Sequence, residues 1–319
     1  MSRPVRVVTT SLATLEDTAP PYNLRHPSPA DNLRLGLDLL EAAGAQGADL
    51  ACLPEGFMAA GLPLSRVREV AEPIPGPGFD AVASCARRHR MYVVAGFYAR
   101  LGERVHNVAA VIDRQGKLAG LYAKRHPTTG EIECGVTPGA DAVVVETDFG
   151  RLGLAICFDL NWQPLWADLA RQKADLVCWI SAYEGGFPLQ AVAWQYKYPV
   201  VTSVWPYQAR VIDYTGRILA ATSRWGRIAV CDLDLEKRLF HTDGQMDKLL
   251  SIQTQYGSRV RLETFNEEHL FTLQCIDPDL ALEDIIDEYG LVDYATYIEQ
   301  CTEIQGKTKM PLPPLAQFA

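Results

Sequence analysis

No apolar run in this 319-residue chain approaches the roughly 18 residues of a membrane-spanning helix, so no membrane partner is expected. The N-terminal MSRPVRVVTTSL lacks the long apolar core of a secretory signal and passes straight into a strand-like run. Positive charge is in the minority. Against 39 Asp+Glu stand 30 Lys+Arg, a formal net charge of −9, which argues against nucleic-acid and anionic-membrane partners. The 24 Gly and 20 Pro follow no Gly-X-Y period, which excludes a collagen-like chain. Gly-x-Gly-x-x-Gly, Walker and Gly-x-Ser-x-Gly patterns are absent. The eight Cys form no Cys-x-x-Cys pair, and most lie in apolar runs; they read as reduced thiols of a cytoplasmic protein, each by default a small buried hydrophobe. None of the six His is read as part of a metal-ligand pattern, so no metal is expected.

What is present suffices for a large core: 48% of residues are apolar and 22% charged, which excludes whole-chain disorder. Strand-like runs at 4–11, 48–53, 91–97, 105–113, 117–122, 142–147, 151–157, 175–181, 199–205 and 227–233 alternate with helical spacing at 30–44, 79–90, 164–173 and 187–198. A further hairpin over 208–222 turns at Asp213-Tyr214-Thr215-Gly216. The basic run Arg87, Arg88, His89, Arg90 suits a helix C-terminus. The pattern predicts an α/β fold with a mixed sheet.

A weak repeat divides the chain. ADLACLPEG at 48–56 resembles ADLVCWISA at 174–182, and VIDRQGKLAG at 111–120 resembles VIDYTGRILA at 211–220. The period is too long for a solenoid and suits two similar halves packed sheet on sheet with helices outside. Chance similarity between ordinary strands and turns is the alternative. From about 240 the character changes: a polar stretch, two strands around Asn266-Glu267-Glu268, an acidic segment of helical spacing and a Pro-rich tail. We expect a main domain over 1–245 and a C-terminal extension over 246–319 that packs on it or sits in a subunit interface.

Three segments carry chemistry. Leu53-Pro54-Glu55-Gly56, Tyr122-Ala123-Lys124-Arg125-His126-Pro127 and Ile156-Cys157-Phe158-Asp159 each set an ionisable or nucleophilic residue at the C-terminal end of an apolar strand. That edge is where sites assemble in open α/β sheets. Singly, Glu55 reads as a loop carboxylate, Lys124 as a surface cation and Cys157 as a core thiol. Together, in this order, they resemble the Glu-Lys-Cys triad of the carbon-nitrogen hydrolase (nitrilase) superfamily. The resemblance extends to Lys-x-His-Pro, Thr137-Pro138-Gly139, the strand-Cys-x-Asp elbow, Ser181-Ala182-Tyr183-Glu184-Gly185-Gly186 and the Val-Ile-Asp-Tyr-Thr-Gly hairpin, and covers roughly residues 4–245.

The resemblance implies a four-layer α-β-β-α sandwich of two pseudo-symmetric halves, no cofactor, and a homodimer or higher homo-oligomer. It implies Cys157 as nucleophile, Glu55 as general base and acid, and Lys124 with the backbone N–H of Phe158 as oxyanion donors. A second carboxylate is expected a few residues beyond the lysine, at Glu131 or, with a slip of two, Glu133. The chemistry suits these residue types: a cation beside a thiol lowers its pKa, a carboxylate accepts its proton, and fixed donors hold the developing oxyanion. Relatives that act on nitriles follow the nucleophile with Trp-Glu, whereas Phe158-Asp159 follows here, so an amide or N-carbamoyl substrate is favoured. The Pro-Glu that many amidase-like members carry is replaced by Asn161-Trp162-Gln163-Pro164. Phe57, His126, Trp162, Tyr183 and Glu184 are candidate substrate contacts, and the aromatic ones favour an apolar or aromatic acyl group. A glutaminase-type ammonia supplier, a nitrile hydrolase and a catalytically silent protein of the same fold are the alternatives. A reactive Cys157 would be alkylated before the other seven thiols at neutral pH.

Overall fold

β-Branched runs and amphipathic helices alternate through Val5–Leu233 and build two six-stranded sheets. The computed structural model describes residues 4–14, 18–19, 23–24 and 28–311. The first sheet contains β1 (Val5–Thr10), β4 (Leu50–Cys52), β5 (Tyr92–Leu101), β6 (Arg104–Ile112), β7 (Leu118–Ala123) and β14 (Ile228–Leu233), in the order β14-β1-β4-β5-β6-β7. The second contains β8 (Val144–Thr147), β9 (Gly150–Ile156), β10 (Leu176–Ser181), β11 (Val200–Val204), β12 (Arg210–Ile212) and β13 (Ile218–Ala221), in the order β13-β12-β11-β10-β9-β8. A two-residue pair, β2 (Thr18–Ala19) with β3 (Asn23–Leu24), lies outside both. The helices of this unit are α1 (Pro29–Ala45), α2 (Val67–Val70), α3 (Pro77–His89), α4 (Thr129–Glu133), α5 (Gln163–Arg171) and α6 (Phe187–Tyr196).

The repeat seen in the sequence is a repeat of structure. In each sheet three parallel strands (β1, β4, β5; β9, β10, β11) are flanked by antiparallel ones. Asp49 closes the same two-bond loop on Arg6 that Asp175 closes on Arg151: each carboxylate accepts the partner's backbone N–H, and each aspartate N–H donates to the partner's carbonyl. The two Val-Ile-Asp hairpins are alike, with a bulge between Val111 and Ile112 in one and between Val211 and Ile212 in the other. Gly116 and Gly216, at φ +77° and +78°, occupy the same left-handed turn position, where a Cβ is strained.

The sheets meet face to face. Thr10 Oγ1 lies 3.0 Å from Ser203 Oγ, and both hydroxyls donate to the Cys52 carbonyl. Cys52 and Cys178, equivalent positions of the repeat, bring their buried sulfurs to 3.5 Å. All eight cysteines are free thiols. On the first sheet's outer side, Leu39, Leu40 and Ala43 of α1 share a core with Val82 and Ala86 of α3 and with Val93 and Ala95 of β5. The result is the expected layered α-β-β-α fold.

A second compact unit begins at Asp234, ahead of the break expected after residue 245. Its antiparallel sheet, β15 (Arg238–His241), β17 (Leu270–Cys275) and β16 (Val260–Phe265), carries α7 (Met246–Tyr256), α8 (Leu282–Tyr289) and α9 (Tyr294–Thr308). Phe240 and Phe271 stack at 4.9 Å in its core with Leu249, Ile252 and Ile285. The stretch that reads as merely polar in sequence follows β15 and enters α7, where Leu249 and Ile252 share one helical face. The acidic segment is two helices, broken where Gly290 turns left-handed at φ 56°. The Pro-rich tail from 312 lies outside the described residues. No helix among the described residues is long and apolar enough to cross a membrane.

One glycine ties this framework to the strand end carrying Glu55. A Cβ on Gly96 of β5 would lie 2.4 Å from the Pro54 carbonyl oxygen and 2.6 Å from Glu55 Cα. Gly96→Ala is expected to destabilise the protein by about 1–3 kcal/mol, the usual range for overpacking. It should also displace Glu55, so thermal melting and turnover should fall together; a variant that melts earlier with full activity would contradict this coupling.

Candidate active site

Three strand ends converge. Glu55 follows β4, Lys124 follows β7 and Cys157 follows β9, so the first two come from one sheet and the thiol from the other. Cys157 opens a 3-10 turn, Cys157–Asn161, with φ at 49°, a left-handed conformation uncommon for a side-chain-bearing residue. Asp159 fixes this elbow. One of its carboxylate oxygens accepts the Ile156 N–H (3.0 Å) and the Tyr122 hydroxyl (2.7 Å). The other accepts the His126 backbone N–H (2.9 Å) and faces His126 Nδ1 at 2.9 Å. The fully buried Asp159 therefore bonds the residue before Cys157 and residues on either side of Lys124, locking the two sheets' strand ends together. Trp179 Nε1 donates to the Cys157 carbonyl (3.0 Å), and Trp205 Nε1 to that of Glu55 (2.6 Å).

The charges form one buried network. Lys124, 1% exposed, donates from Nζ to Glu55 Oε1 (2.7 Å) and Glu131 Oε2 (2.8 Å). Asn107 Nδ2 bridges the same two carboxylates, at 2.6 Å to Glu55 and 2.8 Å to Glu131. The second oxygen of Glu55 accepts the Ala182 N–H (2.9 Å). Glu131 is held by a capping box at the start of α4, accepting from the Thr128 N–H (2.8 Å). Glu133, the alternative position for a second carboxylate, is exposed at the end of α4. The Cys157 thiol lies close enough to Glu55, Lys124 and Ser181 for all three to act on its pKa.

Burial opposes the Lys124 ammonium, but Glu55, Cys157 and Glu131 together outweigh it and hold its pKa well above the ordinary lysine value. Burial likewise opposes the Glu131 carboxylate, and Lys124 with the Thr128 and Asn107 bonds brings it below the usual range. The thiol goes the other way. Burial, then the Glu55 charge, push Cys157 well above an ordinary thiol, although Lys124 and Ser181 pull it down. Lys124 does lower the thiol, as expected, but burial and the Glu55 charge outweigh it.

The substrate-contact candidates are dispersed. Phe57 is fully buried, edge-on to Phe97 at 5.5 Å within the core under α1, so it has no surface to offer a ligand. Its apolarity serves helix–sheet packing. His126 stacks flat on Trp162 at 4.3 Å, and Phe158 meets Trp162 edge-on at 5.1 Å. Tyr183 is edge-on to Trp179 at 5.3 Å and, like Phe158, 37% exposed. Glu184 is half-buried on the loop before α6.

Asn107 completes the site without having been singled out in the sequence, and Tyr122 and Ser181, which stand in the sequence only as members of motifs, join it. For Asn107 the signal is present: an amide in mid-strand, in Val105-His106-Asn107-Val108-Ala109-Ala110, where β-propensity is poor and neighbours are apolar. Such a residue persists when something needs its donors. Removing both donors with Asn107→Leu should lower kcat by roughly 10–150-fold, the kinetic equivalent of the about 1.5–3 kcal/mol attached to a hydrogen bond on a charged group. Unchanged kcat would show that Lys124 alone orients Glu55.

The carbon-nitrogen hydrolase family model matches residues 18–238. A Mycobacterium tuberculosis protein described as a hydrolase is 34% identical over 50% of this chain and 58% of its own length. The omega-amidase NIT2 of Danio rerio is 29% identical over 50% of this chain and 58% of its own. The chain thus spans little more than half the length of these curated relatives. Among solved structures, an amidase from Nesterenkonia sp. superposes with a TM-score of 0.64 at 19% identity, covering 80% of this chain and 97% of that one. Saccharomyces cerevisiae Nit3, of the nitrilase superfamily, gives 0.63 at 17%, covering 81% and 96%. With a family match across most of Val5–Leu233, the chain belongs to the carbon-nitrogen hydrolase family.

Proposed function

We propose that the protein hydrolyses the C–N bond of a small linear amide or N-carbamoyl compound through a thioester on Cys157. The observation that carries this is the thiol seated against Glu55, whose carboxylate is itself held by the buried Lys124 ammonium. As sulfur attacks the carbonyl carbon, the thiol proton passes to Glu55. The tetrahedral oxyanion accepts hydrogen bonds from the Lys124 N–H not engaged by the two carboxylates and from the Phe158 N–H; one such donor is typically worth about 3–4 kcal/mol. Collapse breaks the C–N bond, and Glu55 protonates the departing amine. Water then attacks the thioester while Glu55 takes its proton, and the carboxylic acid leaves with the thiol restored. The balance is amide plus water to acid plus amine.

The rest of the site supports this reading. A neutral resting thiol makes Glu55 a required proton acceptor, because the proton has to leave as the C–S bond forms. The stacked His126–Trp162 pair with Phe158 and Tyr183 favours an acyl group with apolar surface, and the omega-amidase relatives favour an amide over a nitrile. Nesterenkonia amidase variants are described with acrylamide or the acetamide moiety of fluoroacetamide joined to their active-site cysteine. Small neutral amides of that kind are suitable probes of Cys157.

Ammonia release from simple amides, N-carbamoyl amines, glutamine and nitriles should be largest for an amide or carbamoyl compound and vanish in Cys157→Ala. Release unaffected by that substitution would remove Cys157 from the chemistry. Release confined to glutamine or to nitriles would replace the substrate class. The pH profile follows from the pKa directions. An equilibrium thiolate of ordinary pKa, about 8.5, would make the rate climb between about pH 7 and 9; the raised Cys157 thiol predicts a flat rate there. On the acid side, the lowered Glu131 pKa contributes stability above the unfolded value of about 4.3, lost as pH falls through the depressed folded value. A melting temperature independent of pH below about 5 would contradict the Glu131 contribution.

A further inference from the structure

On the outer side of the first sheet, away from Cys157, α1 and α3 bring together three side chains that the hydrolytic reading does not use. Cys85 and His89 stand four residues apart on one face of α3, and Glu41 faces them from α1. Cys85 Sγ lies 3.4 Å from Glu41 Oε1, and His89 Nε2 lies 2.7 Å from Glu41 Oε2. The three ligand atoms all fall within 4.8 Å of one another, the one such group of three among the described residues. The pair matches no zinc signature in the sequence, and the basic run accounts for His89 as a helix-end cation. The third ligand comes from another helix, which no spacing reveals.

We propose that Glu41, Cys85 and His89 bind a divalent transition-metal ion of the zinc class. A tetrahedral ion with bonds of about 2.0–2.3 Å sets neighbouring ligand atoms roughly 3.3–3.7 Å apart, so a small adjustment of these side chains would surround one. A thiolate, an imidazole and a carboxylate select zinc or cobalt over magnesium or calcium. The ring is already placed. A Cβ on Gly44 would lie 2.1 Å from His89 Cγ, so the imidazole fills the space that this glycine leaves on α1. The thiol is buried, while Glu41 and His89 reach solvent, which leaves a path for the ion and a water for its fourth position. Binding replaces the Cys85 S–H bond by a sulfur–metal bond and releases that proton to water. The Cys85 thiolate and the Glu41 carboxylate neutralise the ion's two charges, and the Arg88 guanidinium, bound at Glu41 Oε1, leaves Oε2 to the metal.

The test uses the full chain stripped with a chelator and titrated with Co2+, then Zn2+. The expected result is a thiolate-to-cobalt charge-transfer band that saturates at one equivalent, is displaced by zinc, and accompanies a rise in melting temperature. Cys85→Ser should abolish the band. His89→Gln, which keeps an N–H donor for Glu41 and so preserves the helix pairing, should weaken zinc binding by more than the roughly 10–100-fold cost of losing a group merely bonded to a ligand. Cys157→Ser should leave the band intact. Absence of a stoichiometric band, or a band that persists in Cys85→Ser, would overturn the proposal. So would a zinc-induced rise in melting temperature that His89→Gln retains in full. None of these readouts depends on hydrolysis, so the site stands or falls independently of the proposed reaction.

Discussion

A lysine ammonium sealed between two carboxylates is the constraint on which the site depends. Desolvating three charges is costly, and the cost is met only where every oxygen finds a donor. Glu55 has Lys124, Asn107 and the Ala182 amide; Glu131 has Lys124, Asn107 and the Thr128 cap. Each partner belongs to a different part of the chain, so the network forms only when β4, β6, β7, α4 and the end of β10 are all in place. The same arrangement acts on the Cys157 thiol: burial and the Glu55 charge push its pKa up by more than Lys124 and Ser181 pull it down.

The doubled fold supplies this geometry. Each half ends its parallel strands along one edge, and face-to-face packing brings Glu55 and Lys124 of the first sheet to the Cys157 elbow of the second. Asp159 then couples the elbow to the Lys124 strand end through Tyr122 and His126. Fold and site are therefore hard to separate by mutation: Asp159 and Gly96 position Cys157, Lys124 and Glu55 by the same contacts with which they hold strands together.

Much of the architecture was legible because period and punctuation agree. The Asp-x-x-Gly hairpins, the Ala-Asp-Leu strands and the helix faces each produce a local pattern, and the repeat shows itself in paired sequences of ten residues or fewer. The trio Glu55, Lys124 and Cys157 was legible by its position at strand ends. What escaped notice depends on groups far apart in sequence. Phe57 follows Glu55 so closely that it resembles a pocket aromatic, yet the turn directs it into the core against Phe97. Asn107 is an oddity of its strand until Glu55 and Glu131 arrive on either side. Helix α7 hides because only two of its residues, Leu249 and Ile252, are buried.

The measurement that bears most directly on this account is peptide mapping by mass spectrometry of enzyme quenched during turnover of a simple amide. The account predicts the acyl mass on Cys157 and on no other cysteine, with none accumulating in Cys157→Ala. Sustained hydrolysis with Cys157 unmodified, or acylation at a different thiol, would contradict it.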